Sequence, residues 1–284
     1  MKNPTSALML LVVCWARGDL RPPPSECKYA SESGEYVLSV SPAKPGAPGT
    51  CWAELRSKDT VLWARHLIDN VAPAKAFVAD SGQYIVTVDE WSRHSDRAIT
   101  VYGPRGRLIA VHTMETYGVL RGYIASLPHR FPGTWWDNAI FFFGPKQEHF
   151  ICRTDWGQTV VLRLWKGDVL DSARLIERGR VETASDLSEL LKFADKYSSM
   201  WAMRAMNAQD PQQRAAGARI GGQLQIRESV PTLRRLLDDP AWSSLRDSAF
   251  VGTKRIFFVR KAAYESLQAM GVDVAAPLLE AFVD

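Results

Sequence analysis

The sequence lacks the short motifs that mark the common catalytic sites. It has no Gly-x-Ser-x-Gly, no His-Glu-x-x-His, no phosphate-binding Gly-Lys-Ser/Thr and no Cys-x-x-Cys. Its five histidines occur singly, without the spacing of metal ligands. The segment 41–44 matches a catalytic Ser-x-x-Lys pattern by letter, but it lies in a Pro- and Gly-rich stretch rather than at a helix start. We therefore expect a protein that is not an enzyme and that holds no cofactor or metal.

Long runs of like charge are also missing. The 284 residues include 35 basic and 31 acidic side chains, for a net charge of +4. A nucleic-acid binder concentrates Lys and Arg on one face, whereas from residue 199 onward the two signs are nearly balanced. Charge therefore selects no class of partner, and we expect no nucleic acid among the partners.

The amino terminus has an apolar stretch at 7–15 that is too short to span a bilayer. Lys2 precedes it, and Ala16-Arg17-Gly18 follows with a small-x-small pattern, so we predict a signal peptide over 1–18 and a secreted or periplasmic protein without a transmembrane span. An ordinary amino-terminal strand or helix is the alternative. Cys14 also ends a degenerate lipoprotein box, which would make it a lipid anchor before the Pro-rich spacer 19–26.

The chain has only four cysteines, and removal of the signal peptide takes Cys14. A disulfide between Cys27 and Cys51 would tie the Pro- and Gly-rich stretch 42–49 to a sheet, in an oxidising compartment. Two buried thiols are the alternative. Cys152 lies in an apolar strand and is expected to be an inert core residue.

What the sequence does contain is a repeated β unit. Segments 75–79, 83–88, 98–102 and 108–114 predict four strands, and Asp80-Ser81-Gly82 predicts the first turn between them. Weaker copies occupy 28–67 and 139–176, at intervals of about 48 and then about 65 residues. The pattern predicts an antiparallel β meander over 27–180.

The turn sequence, Ser/Asp-Ser-Gly-x-Tyr, resembles that of secreted β-propeller repeats. Three blade-like units cannot close a ring, because about four are needed. The resemblance therefore implies an open stack or twisted sandwich. We expect the carboxy-terminal helices to cover its exposed edges, which would otherwise invite aggregation.

An insertion at 115–138 separates the second and third units. It holds Trp135, Trp136 and Asp137, which would form either a stacking platform for a ligand or a cover for the sheet. An acid followed by Trp recurs after the inner strands of the second and third units, giving either a carboxylate site or a capping turn. The acidic candidates for a rival function, hydrolysis or carbohydrate binding, are Asp89, Glu90, Asp137 and Asp155.

From residue 183 the apolar period changes from two to about 3.6, which predicts a helical region over 183–284. Ser185 is the expected N-cap of a first helix over 186–206. Met200 and Trp201 on this helix could belong to a binding groove, although we expect the helix to join the β and helical regions.

Two helix pairs follow. Asp210 and Pro211 predict a helix start, and 229–240 predicts a second helix that ends at Asp-Asp-Pro. A copy lies about 46 residues further on, with its first helix over 257–270 and Gly271 as its stop. This pattern resembles the short bacterial HEAT repeats, which implies a binding or scaffolding surface for an unidentified protein partner. The fold class expected overall is α+β.

Overall fold

The computed structural model describes residues 26–42, 50–69, 72–90, 97–113, 139–154, 157–170, 182–246 and 253–275. Over these residues the chain forms three four-stranded antiparallel sheets, a two-stranded hairpin and four α-helices. This confirms the α+β class. Within the same residues, no sheet closes into a barrel or a propeller.

Each sheet is a meander whose neighbouring strands are consecutive in sequence. The first sheet contains β1 (Cys27–Ala30), β2 (Tyr36–Ser41), β3 (Trp52–Ser57) and β4 (Thr60–His66). The second contains β5 (Pro73–Val78), β6 (Ile85–Glu90), β7 (Ile99–Tyr102) and β8 (Leu108–His112). The third contains β9 (Ile140–Phe143), β10 (His149–Arg153), β11 (Thr159–Arg163) and β12 (Asp168–Leu170). The three predicted strand groups are confirmed, with bounds shifted by a few residues.

The same turn joins the first two strands of each of the three sheets. The backbone N–H groups of Ser31, Ala79 and Gly144 donate to the carbonyl five residues later, at 2.8, 3.0 and 2.9 Å. Their own carbonyls accept from the N–H three residues later, at 3.0, 2.8 and 2.8 Å. The donors of that second bond have positive φ and are Gly34, Gly82 and Gln147. Because the three turns are 48 and 65 residues apart, the predicted intervals are confirmed.

The first and second sheets share one hydrophobic core. Leu38, Val40 and Leu55 of the first sheet pack in one buried cluster with Ile85 and Tyr102 of the second. Successive side chains of a strand point to opposite faces of the sheet, so every second residue can lie in a core.

Polar contacts join the first two sheets, one between strands β1 and β5 and one between the two turns. The Tyr29 hydroxyl donates to the Pro73 carbonyl at 2.9 Å, and the Ser33 N–H donates to Asp80 Oδ1 at 2.7 Å. A Cβ on Gly82 would lie 2.4 Å from Cε1 of Tyr36, so glycine is required there for packing as well as for its φ of 65°.

The described residues form two compact units, which divide between positions 113 and 114. In the second unit, one face of the third sheet, including Phe142, Ile151 and Val161, shares a core with helix residues such as Leu190 and Ala194. The helices therefore cover a face of the third sheet. The predicted division into domains 27–180 and 183–284 rests on the change of sequence periodicity, and it stays a prediction.

The helices are α1 (Glu182–Ala205), α2 (Pro211–Gln223), α3 (Val230–Leu236) and α4 (Phe258–Ala269). The prediction that Ser185 caps α1 is wrong, because the helix begins three residues earlier, at Glu182. Asp210 is confirmed as the N-cap of α2, since its Oδ1 accepts from the Gln212 N–H at 2.9 Å. Gly271 is confirmed as the stop of α4, with φ 67° and its N–H bonded to the Gln268 carbonyl at 2.9 Å.

Hairpin strands β13 (Ser243–Arg246) and β14 (Thr253–Ile256) occupy the insertion between the two helix pairs. Of the second predicted pair, the structure describes α4, and residues 276–283 of the second helix, which the repeat pattern predicts over 274–283, lie outside the described residues. The second pair is therefore observed only in its first helix.

Helix α2 contacts both α1 and α4 through small residues. A Cβ on Gly217 would lie 2.8 Å from the backbone N of Met206 and 2.9 Å from the carbonyl O of Ala202. On the α4 side, a Cβ on Gly222 would lie 2.8 Å from Cα of Ser266. The backbones thus approach each other too closely for any side chain at these two positions.

None of the described helices combines the length and the apolar character that a membrane span requires.

Candidate functional site

The predicted surface residues differ in exposure, and some of them lie outside the described residues. Met200 is 51% exposed on α1, whereas Trp201 is partly buried and packs against the core shared by the third sheet and the helices. Trp135, Trp136 and Asp137 lie outside the described residues, as does Cys14. Of the predicted binding surface, the structure therefore places Met200 toward solvent and Trp201 against the core.

The structure describes the acidic corners of the second and third sheets only in part. Asp89 is 4% exposed and has a φ of 47°. Its equivalent in the third sheet is Thr154, whose Oγ1 accepts from the Gln158 N–H at 3.0 Å. Asp155 lies outside the described residues, and only the backbone of Glu90 is described. Both interpretations of these corners, a capping turn and a carboxylate site, therefore stay predictions.

The cysteines lie in cores. Cys27, half-buried, packs against the cluster that contains Cys51. Strand β2 lies between them, since Cys27 pairs with Val40 and Val40 with Ala53. Two strand spacings are about 9–10 Å, and a disulfide needs a Cα–Cα distance of about 4.4–6.8 Å. The disulfide stays a prediction that would require backbone movement there. Cys152 is buried in β10, as expected.

The second unit contains a cleft of about 410 Å³ near the end of α1 and the end of α3. Its lining carries both signs of charge and includes Asn207, Arg214, Arg235, Asp238, Asp239 and Pro240. The last backbone carbonyls of a helix have no partner within that helix, so side chains near helix ends can bond to them.

Arg214 is the centre of a hydrogen-bond network in this cleft. Its Nε and Nη2 donate to the two oxygens of Asp239 at 2.7 and 3.0 Å, a bidentate pair. Its Nη1 donates to the carbonyls of Ala208 and Gln209 at 3.0 and 2.7 Å. The Asp239 hydrogen bonds raise the pKa of Arg214 above its ordinary value. The guanidinium therefore ties the α1–α2 connection to the end of α3.

The arginine at the equivalent position of the second predicted helix pair reaches the same place. Arg260 Nε donates to the Asp239 carbonyl at 2.8 Å, and its guanidinium lies 4.0 Å from the ring centroid of Phe257. Arg214 and Arg260 occupy equivalent positions of the two predicted helix pairs, so both converge on Asp239. Arg235 donates to Asn207 Oδ1 at 2.5 Å. Arg214 and Arg260 are thus both held against Asp239 by hydrogen bonds.

Sequence reasoning missed a further surface, the outward face of the first sheet. Trp52, Glu54 and Arg56 alternate along β3 with the buried Ala53 and Leu55. This alternation was readable in the sequence, but it gave no sign that the outward residues line a groove of about 570 Å³. Their proximity depends on the register between strands, which the sequence alone leaves open.

Among the described residues, no three His, Cys, Asp or Glu side chains come together in a way that would hold a metal ion. No model of a known protein family and no curated protein sequence matches the chain.

Proposed function

We propose that this chain is a noncatalytic binding or scaffold protein that acts outside the cytoplasm. In this proposal the three sheets are blade-like units, and α2, α3 and α4 belong to a short HEAT-like array that offers a surface to a protein partner. Two features expected from the repeat pattern support the assignment to HEAT-like pairs: the N-cap of α2 at Asp210 and the end of α4 at Gly271.

The observation that carries the proposal is the cleft around Arg214. Its buried ionic groups are bound to each other, whereas its rim, with Arg235, Asp238 and Pro240, is exposed. A rim of this kind presents charge of both signs on a framework that is already ordered, which reduces the entropy lost on binding.

An exposed aromatic residue follows the rim in sequence. Trp242 is 47% exposed, and the guanidinium of Arg255 lies 4.8 Å from its ring centroid. Trp and Arg are the residues most enriched among those that dominate protein interfaces. This pair is therefore the expected anchor for the partner.

Site-specific photo-crosslinking tests the proposal in the cell. A benzoylphenylalanine in place of Asp238 should give a discrete protein adduct, because Asp238 is exposed at the cleft rim. The same probe in place of Glu189, exposed on α1, is the matched control and should give much less.

The adduct at position 238 should disappear in a Trp242→Ala background. Equal crosslinking from both positions, or an adduct that survives the loss of Trp242, would refute this surface as the binding site.

A further inference from the structure

The outward face of the first sheet carries rows of side chains that the strand register brings side by side. Lys28, Ser39 and Glu54 are consecutive partners across β1, β2 and β3. Ser41 pairs with Trp52 in the neighbouring row. The serines are short, so the longer side chains on either side of them enclose the groove of about 570 Å³.

Trp52 is a rigid, exposed aromatic surface at the side of this groove. Its side chain remains 42% exposed although the ring of His66 contacts it edge-on, at a centroid distance of 4.9 Å and an interplanar angle of 75°. His66 is itself held, because its Nδ1 donates to the Thr50 carbonyl at 3.0 Å. An aromatic ring fixed in this way loses little entropy when a ligand stacks on it.

Glu54 and Arg56 supply oriented hydrogen-bonding groups beside Trp52. Arg56 Nε donates to Glu54 Oε1 at 2.5 Å, which fixes the two side chains against each other. The pair still presents further guanidinium donors and a second carboxylate oxygen. Together with the hydroxyl groups of Ser39 and Ser41, the groove can both donate and accept hydrogen bonds.

The charge of the groove is balanced. Its acidic residues are Glu26, Glu54 and Asp59, and its basic residues are Lys28, Arg56 and Lys58. The Lys28 ammonium lies 3.8 Å from Glu26, so these charges also face each other in pairs. A polyanion such as a nucleic acid needs a surplus of basic groups, which this face does not provide. The complementary ligand is neutral, with an apolar face for the indole and many hydroxyl groups.

We propose that the outward face of β1, β2 and β3 binds a neutral oligosaccharide, with one sugar ring stacked on Trp52 and its hydroxyls bonded to Glu54 and Arg56. A pyranose ring has the two required properties, a C–H face and equatorial hydroxyl groups. This inference does not depend on the proposed protein-binding cleft, because it uses other residues in the other compact unit.

Affinity electrophoresis of the full chain in gels that contain laminarin, mannan, dextran or heparin tests the inference. At least one neutral polysaccharide should retard the protein, and heparin should not. Trp52→Ala should weaken the retardation by about tenfold or more, and Glu54→Gln should weaken it while leaving the urea unfolding midpoint unchanged.

Trp165 provides the matched control. It is 44% exposed, and His149 contacts its ring edge-on at 5.1 Å, as His66 contacts Trp52. Trp165 is not among the residues that line the groove, so Trp165→Ala should retain full retardation. Migration unaffected by all three neutral polysaccharides, retardation by heparin alone, or equal losses in the two tryptophan variants would overturn the inference.

Discussion

Replacement of Gly217 by alanine should destabilise the second unit, although the same change stabilises most helices. Alanine is favoured over glycine in a helix interior by about 1 kcal/mol. Here the new methyl group would meet the backbone N of Met206 at 2.8 Å, the carbonyl O of Ala202 at 2.9 Å and Cβ of Ala205 at 2.9 Å. Two of these atoms are backbone, so the clash can be relieved only if α1 and α2 move apart.

The two effects can be compared in magnitude. Overpacking of a tight interface costs about 1–3 kcal/mol, which equals or exceeds the gain in helix propensity of about 1 kcal/mol. The net loss in the free energy of unfolding should therefore be up to about 2 kcal/mol. In a unit of this size, each kcal/mol lowers Tm by about 2–4 °C.

Gly221, one turn further along α2, is the control within the same helix. A Cβ there would find its nearest atom, Ser229 Oγ, at 3.5 Å, an ordinary contact distance. Gly221→Ala should therefore leave stability unchanged or raise it by up to about 1 kcal/mol. Urea unfolding followed by circular dichroism measures both variants against the parent chain. A Gly217→Ala protein as stable as Gly221→Ala would refute the close approach of α1 and α2.

Three further predictions follow from the same structure. Asp239→Ala should cost about 3 kcal/mol in urea unfolding, because it leaves the Arg214 guanidinium, 17% exposed, without its carboxylate. Trp201→Ala should cost about 3 kcal/mol and shift one calorimetric transition for the third sheet and helices together, whereas separate transitions would contradict their shared core. Burial, followed by the charge of Asp69, raises the pKa of Tyr102 above its ordinary value of 10.0. Stability should therefore be complete below pH 10 and fall above it as the unfolded tyrosine ionises, and Tyr102→Phe should reduce that fall in urea titrations between about pH 9 and 11.

The predicted location has its own test. Fusion of residues 1–18 to a periplasmic reporter enzyme should export it, because this segment has the charged start, apolar stretch and small-residue ending of a signal peptide. Replacement of Leu10 and Leu11 by arginine in the fusion is the control, since it interrupts the apolar stretch and should abolish export. A reporter that stays in the cytosol with the unaltered segment would remove the argument for an extracytoplasmic protein.

The strand groups were predictable because local chemistry determines them. Short segments rich in apolar and β-branched residues, bounded by turn residues, mark the strands. Glycines such as Gly34 and Gly82 permit the positive φ that the recurring turn needs. The third copy of this turn has Gln147 at that position, so its sequence departs from the glycine pattern although its hydrogen bonds are the same.

The tertiary partners of these elements were not predictable in the same way. Periodicity shows that α1 has an apolar face, but not that Tyr197 on this face stacks on Phe142 of the third sheet, at a centroid distance of 4.1 Å. Nor does an acid close to a tryptophan in sequence show whether the acid is exposed, and Asp89, two residues before Trp91, is buried. The candidate surfaces depend on such long-range pairings, and so periodicity located most strands and helices but could not determine which side chains share a surface.

The meander order of the three sheets has a consequence for how the chain acquires its structure. Within each sheet, a strand pairs with the strand that precedes it in sequence, so paired strands are joined by short loops. The entropy of loop closure is then small, and pairing can begin before the following sheet has been synthesised. A chain that emerges amino terminus first can thus form its three sheets in succession, with few unpaired strands exposed at any one time.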